Sequence, residues 1–266
     1  MDIGHRTLDI GQSEGRYLYC IVEGSESVHF GSIGIEGNEV YTIPYNDLCA
    51  IVHNCPAEPY RSEDQEIVKG WVIAHQKVVD TAWERFGTVI PIGFDTIVQE
   101  NEAANPEENM KNWLRDDYDN LKAKMEKVRG RAEYGVQVLW DTRVMAQKAT
   151  EDSLEIKKLE EEIKSKPRGL AYMYRQKLEE LLKKELEKQA DQYFKEFYGK
   201  ISPYADDLCV EKTKKTESEN MHMLLNLSCL LTEGGSKKLG AELEKIDVMD
   251  GFSVRYTGPW PPYSFV

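Results

Sequence analysis

Three side chains that bind metals well, Cys49, His53 and Cys55, lie close together in the sequence. Alternation along a β-strand would place all three on one face, where thiolate and imidazole groups could hold a zinc ion. The sequence offers neither a fourth ligand nor a CxxC pair beside them, so we do not expect a zinc site. His75 lies on the apolar face of a predicted helix, and we expect a core histidine with one hydrogen-bonded nitrogen.

The common catalytic motifs are missing from the sequence. It contains no GxSxG, Walker A, HExxH or strand-linked GxGxxG motif. The glycine-rich stretch 31–37 has no lysine and no following helix to bind phosphate, so it is predicted to be a turn-rich loop. The glutamates at 160–162 and 179–180 lie among lysines, as is typical of solvated helix surfaces. We therefore expect a protein that is not an enzyme and needs no cofactor.

Charge and cysteine content narrow the class of partner and the compartment. The 47 acidic and 34 basic residues give a formal net charge of −13, which disfavours nucleic acid as a partner. Residues 1–98 hold 15 of the acidic and 6 of the basic side chains. This acidic region either keeps the chain dispersed or steers a basic patch of a partner. Five cysteines, no signal-peptide pattern and no apolar run of membrane-spanning length predict a cytoplasmic protein that does not contact a membrane.

The C-terminal ten residues, 257–266, are unusually rich in aromatic and proline residues for a chain terminus. The residues of this predicted structural tail are Gly258, Pro259, Trp260, Pro261, Pro262, Tyr263 and Phe265. We expect Gly258 to allow a sharp turn, after which the aromatic side chains pack on the domain that precedes them. The alternative is that the proline spacing serves as a ligand for an aromatic groove of another protein.

The elements that would position these residues form two predicted domains. Residues 1–15 are expected to be a flexible leader, and 16–129 an N-terminal domain with a mixed sheet and helices. Strands are predicted at 17–22, 28–33, 39–44, 47–52 and 88–98. One helix should begin at a capping box of Ser62 and Gln65 and end at Gly87. A second should begin with Asn105, Pro106 and Glu108 and continue to about 130.

Residues 130–266 are predicted to form a C-terminal domain with the element order β-α-β-β-α-β, which is the order of a ferredoxin-like fold. Its strands are expected at 132–140, 206–213, 221–231 and 252–256. A largely helical insertion at 142–200 should break at Pro167. The fold class is therefore α+β, with two domains, a long helical extension and the packed tail 257–266.

Four segments of the chain resemble the gas vesicle protein F and L family (GvpF/GvpL). They are GTVIPIGF at 87–94, GVQVLWD at 135–141, the helix around His75 and the GPWPPYSF ending at 258–265. The similarity runs from about Arg16 to Val266, with the motifs in the same order as in the family.

The resemblance implies a non-enzymatic accessory or minor structural protein of the gas vesicle. Such a protein would bind the hydrophobic shell protein GvpA, and other accessory proteins, to prevent aggregation or aid assembly. We expect Trp71, Trp83 and Trp113 to supply the contact surface, because the N-terminal domain has more tryptophan than its core needs. The alternatives left open are a small-molecule regulatory module and an enzyme on a ferredoxin-like scaffold.

Overall fold

The computed structural model describes residues 13–266, which divide into two compact units. The first unit combines 13–132 with Trp260–Val266, and the second is Glu133–Pro259. The predicted domain boundary at 129 lies three residues before the first junction. The predicted leader lies mostly outside the described residues, although Glu14 and Gly15 already belong to a strand. The assignment of the whole tail to the C-terminal domain is wrong, since Trp260–Val266 packs with the first unit.

The first unit is built around one sheet with the strand order β2-β3-β4-β1-β5, in which β6 also pairs with β1. The central strand β1 pairs with β4 in antiparallel fashion along its length, with a register shift between Leu18 and Cys20. Its residues 16–22 are all buried, because both faces of the sheet are covered. The strands are β1 Glu14–Glu23, β2 His29–Gly31, β3 Val40–Tyr45, β4 Leu48–Pro56, β5 Val89–Pro91 and β6 Ile97–Gln99.

Three helices cover the two faces of this sheet. They are α1 Gln65–Phe86, α2 Pro106–Asp116 and α3 Tyr118–Val128. On one face, Val78, Val79 and Ala82 of α1 pack with Tyr17 and Tyr19 of β1. On the opposite face, α2 and α3 pack against Leu18 and Ile21 through a second cluster that contains Met110, Leu114, Leu121 and Met125. The unit therefore has three layers, with a separate apolar core on each side of the sheet.

The ends of these helices agree with the predictions at Gly87 and Asn105 and differ from them at two other places. Gly87 ends α1 in the left-handed conformation, and Asn105 forms the predicted capping box with Glu108. The residue that caps α1 is Asp64, whose carboxylate accepts from the backbone N–H of Glu66, so the prediction of Ser62 is wrong. The second predicted helix is divided at Asp117 into α2 and α3. The predicted strand 88–98 is likewise divided, into β5 and β6.

The second unit contains a sheet with the strand order β10-β7-β9-β8. Its elements in chain order are β7 Ala132–Asp141, α4 Thr142–Asp152, α5 Leu154–Ser165, α6 Arg168–Ile201, β8 Asp207–Val210, β9 Met221–Leu231, α7 Glu233–Asp247 and β10 Phe252–Trp260. The predicted β-α-β-β-α-β order is present, with three helices in the first connection. Pro167 separates α5 from α6 as predicted, and Ser153 adds a break that was not predicted. The ferredoxin-like assignment stays a prediction.

The second sheet buries one of its faces, and the end of β10 lies very close to the backbone of β7. Side chains of β7 alternate strictly between buried and partly exposed, and the buried set is Ala132, Tyr134, Val136, Val138 and Trp140. Gly258 has φ +121°, and a Cβ atom there would lie 2.8 Å from the Glu133 carbonyl oxygen. A glycine is therefore required where β10 passes β7.

None of the helices that the structure describes combines the length and the apolar composition of a membrane-spanning segment.

The cap of α1 provides a test of this assignment. We expect Asp64→Ala to lower the free energy of unfolding by about 1 kcal/mol, because the backbone N–H of Glu66 loses the carboxylate that accepts its hydrogen bond. Ser62→Ala should cost clearly less, since Ser62 accepts only from the N–H of Asp64, outside the helix. Chemical denaturation of both variants measures the difference. Equal losses, or a larger loss for Ser62→Ala, would restore Ser62 as the cap.

Candidate partner-binding surface

The end of the chain is held in the first unit by burial and by one lysine. Pro261 and Pro262 are buried, and Phe265 is only 5% exposed. Lys127 of α3 donates to the Phe265 carbonyl oxygen at 3.1 Å, and its ammonium group lies 5.6 Å from the Phe265 ring centroid. Trp260, at 48% exposure, contributes least of the three tail aromatics to this packing. Trp260–Val266 therefore packs in the first unit and not in the unit to which the prediction assigned it.

The tail also reaches the buried histidine of α1. Tyr17 accepts from the backbone N–H of Asp95 at 2.9 Å, so its own hydroxyl hydrogen is free to point at Nδ1 of His75, 2.9 Å away. Nε2 of His75 then carries the proton, and it lies 3.5 Å from the hydroxyl of Tyr263. Tyr263 donates in turn to Oε1 of Gln76 at 3.2 Å. The prediction of a core histidine with a hydrogen-bonded nitrogen is confirmed.

A second histidine in the same core has an equivalent arrangement. Tyr19 accepts from the backbone N–H of Ile35, and its hydroxyl lies 2.7 Å from Nδ1 of His53. Nε2 of His53 lies 3.0 Å from the hydroxyl of Tyr60. Both ring nitrogens of His53 are thus used within the protein. Among residues 13–266, no group of three or more His, Cys, Asp or Glu side chains is arranged to hold a metal ion.

Burial keeps these titratable groups uncharged at neutral pH. It lowers the pKa of both His53 and His75 to about 4. It raises the pKa of the Cys49 and Cys55 thiols to about 11, so neither is a thiolate nucleophile at neutral pH. These four buried side chains thus serve packing and hydrogen bonding in the first unit.

A concave surface, here called the tail groove, lies where the tail meets β5, α2 and α3. Its lining residues are Ile90, Pro91, Ile92, Gly93, Trp113, Asp117, Leu121, Lys124, Tyr263 and Val266. Most of these are apolar, and one lysine and one aspartate supply opposite charges. Val266 and Ile92 pack on the same core cluster as Trp113. A groove of this composition suits an apolar segment of a partner.

The structure separates the three tryptophans predicted as one contact surface. Trp71 and Trp83 are half-buried on α1 and pack on the core of one face of the sheet. Trp113 is half-buried on α2 and packs on the core of the other face. The three cannot contact one partner segment together. Ile92, Leu121 and Val266 line the groove with Trp113 and were not predicted, because nothing in the sequence indicates which face of the sheet each helix covers.

Comparisons with known proteins give a consistent result over nearly the whole chain. The family model described as "Gas vesicle synthesis protein GvpL/GvpF" matches residues 15–266. Gas vesicle protein L1 of Halobacterium salinarum is 32% identical, with 95% of this chain and 90% of that protein covered. Gas vesicle protein L of Haloferax mediterranei is 25% identical, with coverage of 95% and 88%. The crystal structure of GvpF from Anabaena sp. PCC7120 superposes with a TM-score of 0.74 at 20% identity, covering 95% and 98% of the two chains.

Docking of the tail predicts unequal effects of its aromatic residues on stability. Phe265→Ala should lower the free energy of unfolding by about 3 kcal/mol, because it removes a buried ring. Trp260→Ala should cost less than about 1 kcal/mol, because that side chain is half exposed. Thermal and chemical unfolding of the two variants measure both effects. A larger loss for Trp260→Ala than for Phe265→Ala would contradict the docking described.

The neutral histidines predict a loss of stability in acid. An unfolded histidine binds its proton at about pH 6.5, whereas folded His75 does so only at about pH 4. The unfolded state therefore binds more protons in this window, and stability falls as the pH falls through it. The slope contributed by one such histidine is about 1.4 kcal/mol per pH unit.

The measurement is the free energy of unfolding between about pH 6.5 and 4. We expect His75→Gln to make its decline shallower by roughly that slope. His222→Gln, which removes an exposed histidine, is the matched control and should leave the decline unchanged. Identical declines in the native chain and in His75→Gln would show that His75 does not set this dependence.

Proposed function

The chain belongs to the GvpL/GvpF family of gas vesicle synthesis proteins and takes part in gas vesicle formation, and we propose that it does so by binding the apolar shell subunit GvpA in the tail groove. One observation carries this proposal: residues from distant parts of the sequence line the same groove. Residues 90–93 of the segment 87–94 and Tyr263 of the segment 258–265, two segments on which the family resemblance rests, line one groove together with Trp113.

The chemistry of the groove supports an apolar occupant. Ile92, Trp113 and Val266 are partly buried rather than sealed in the core, so each retains apolar surface that a partner could cover. Tryptophan in a pocket of aliphatic side chains is the arrangement that most often dominates the free energy of a protein contact. Asp117 and Lys124 at the edge would set the orientation of a bound segment rather than add much affinity.

The mechanism follows from the partner's surface. A shell built from apolar subunits requires each subunit to reach the assembly without first binding other copies at random. Occupation of the subunit's apolar face by the groove would exclude water from that face and block random association. Release at the growing shell would then be favourable wherever the shell offers a larger apolar contact than the groove does.

Trp83 on α1 provides the control for this proposal. Trp83 is half-buried like Trp113 but packs on the opposite face of the sheet, away from the tail groove. We expect Trp113→Ala to weaken binding of GvpA about thirtyfold, because removal of a central anchor costs about 2 kcal/mol. Trp83→Ala should reduce stability to a similar degree and leave binding within about twofold, because it is not in the groove.

Pull-down of GvpA co-expressed with each variant, together with the melting temperature of each, gives the readout. Ile92→Ser tests the same groove through a different residue and should also reduce binding. Loss of binding in Trp83→Ala with full binding in Trp113→Ala and Ile92→Ser would move the contact to α1 and refute the groove assignment.

A further inference from the structure

A buried histidine lies behind the tail groove and interacts with two of its walls. His75 of α1 is 3% exposed and is not one of the residues that line the groove. Its Nε2 atom lies 3.5 Å from the hydroxyl of Tyr263, a residue of the tail. Burial lowers the pKa of His75, and the backbone carbonyl of Ile92, which follows β5, opposes this effect because it favours a proton on the imidazole. Tyr263 and Ile92 both line the groove, so His75 reaches two of its walls from the protein interior.

The hydrogen bonds around this ring place its single proton on the side of the groove. The Tyr17 hydroxyl accepts from the backbone N–H of Asp95, and its own hydrogen points at Nδ1 of His75. The neutral imidazole therefore carries its proton on Nε2, the nitrogen that faces Tyr263. Tyr263 donates its hydrogen to Gln76, which leaves its oxygen able to accept from this N–H. In a buried network each such bond is stronger than the same bond in water.

Three distant parts of the sequence meet at this imidazole. They are the helix around His75, the segment 87–94 through Ile92 and the segment 258–265 through Tyr263. The family resemblance rests on these three segments and on one other. The groove walls and the histidine behind them thus come from the same resembling segments.

We propose that His75 is a positioning residue of the tail groove, whose Nε2–H holds Tyr263 of the tail beside Ile92 in the arrangement that accepts the apolar occupant. This inference rests on the proposed function. His75 itself touches no occupant and acts through the two wall residues. Without the donor, the Tyr263 ring can move away from β5 while the tail stays attached through Phe265 and Lys127. The groove then loses its shape, although the first unit remains folded.

Two substitutions at position 75 separate the donor on the groove side from the rest of the ring. The amide nitrogen of glutamine reaches about as far as Nε2, so His75→Gln keeps a donor toward Tyr263. Asparagine is shorter, so His75→Asn removes that donor. His53→Asn is the matched control, because His53 is equally buried and its partners Tyr19 and Tyr60 do not line the groove. Melting curves record the loss of packing in each variant.

Pull-down of co-expressed GvpA measures binding by each variant. We expect His75→Asn to weaken binding about tenfold, because a buried acceptor loses its donor. His75→Gln should stay within about threefold of the native chain and His53→Asn within about twofold. Equal losses in His75→Asn and His53→Asn, or in His75→Asn and His75→Gln, would show a purely structural role and overturn the inference.

Tyr263→Phe tests the same bond from the tail. Tyr263 is 36% exposed and the substitution keeps its ring, so this variant should fold even where His75→Asn does not. We expect it to weaken binding of GvpA by roughly the same factor as His75→Asn, because the acceptor of the Nε2–H is gone. Native binding by Tyr263→Phe would overturn the positioning role.

Hydrogen exchange of the free chain provides a readout that does not involve GvpA. The amides of 260–266 should exchange faster in His75→Asn than in His53→Asn, and His75→Gln should resemble the native chain. Unchanged exchange of 260–266 in His75→Asn would contradict the inference.

The variant Trp113→Ala, in the same pull-down, separates the two proposals. Loss of GvpA from Trp113→Ala with native binding by His75→Asn would refute the positioning role and leave the groove as the binding site. Native binding by Trp113→Ala would refute the groove as the site for GvpA, and with it the role of His75 in binding.

Discussion

The packing of buried Phe265 and partly buried Val266 in the first unit is the contact on which the rest of the structure depends. It makes that unit discontinuous in sequence, because residues up to Ala132 are completed by Trp260–Val266 from the far end of the chain. The second unit permits this arrangement because its first and last strands, β7 and β10, are neighbours in one sheet. The chain therefore enters and leaves the second unit side by side. The entropic cost of so long a connection grows only slowly with its length.

This closure links folding to the proposed binding surface. Tyr263 and Val266 form one wall of the tail groove, and Trp113 and Ile92 line other parts of it. The groove has its full shape only when the last residues of the chain are in place. Lys127 anchors the Phe265 carbonyl, and His75, held neutral by burial, lies beside the Tyr263 hydroxyl. A fragment cut at the domain boundary suggested by sequence would lack this wall altogether.

Local features of the fold were predictable because local chemistry determines them. The capping box at Asn105, the left-handed glycine at position 87 and the proline break before α6 each depend on residues a few positions apart. The strand 221–231 was predicted with the bounds that the structure has. The cap of α1 was misassigned because Ser62 and Asp64 are both good caps, and the choice between them depends on where the helix actually starts.

Tertiary relations were less predictable, for an equally physical reason. Strand β1 is buried on both faces, so its sequence lacks the alternation that would assign α1 and α2 to opposite sides. Trp71, Trp83 and Trp113 consequently looked equivalent in sequence, although a sheet separates the third from the other two. The tail was assigned to the preceding sheet because adjacency in sequence favours adjacency in space. The composition of the tail does not indicate on which core it packs.

The central claim, that the shell subunit binds in the tail groove, is tested most directly by site-specific photocrosslinking. Gly93 lies in the groove and Gly70 on α1, and at both positions an added side chain would meet open space without strain. A photoreactive residue at position 93 should crosslink to GvpA, while the same residue at position 70 should not. Crosslinking to GvpA from position 70 but not from position 93 would contradict the account.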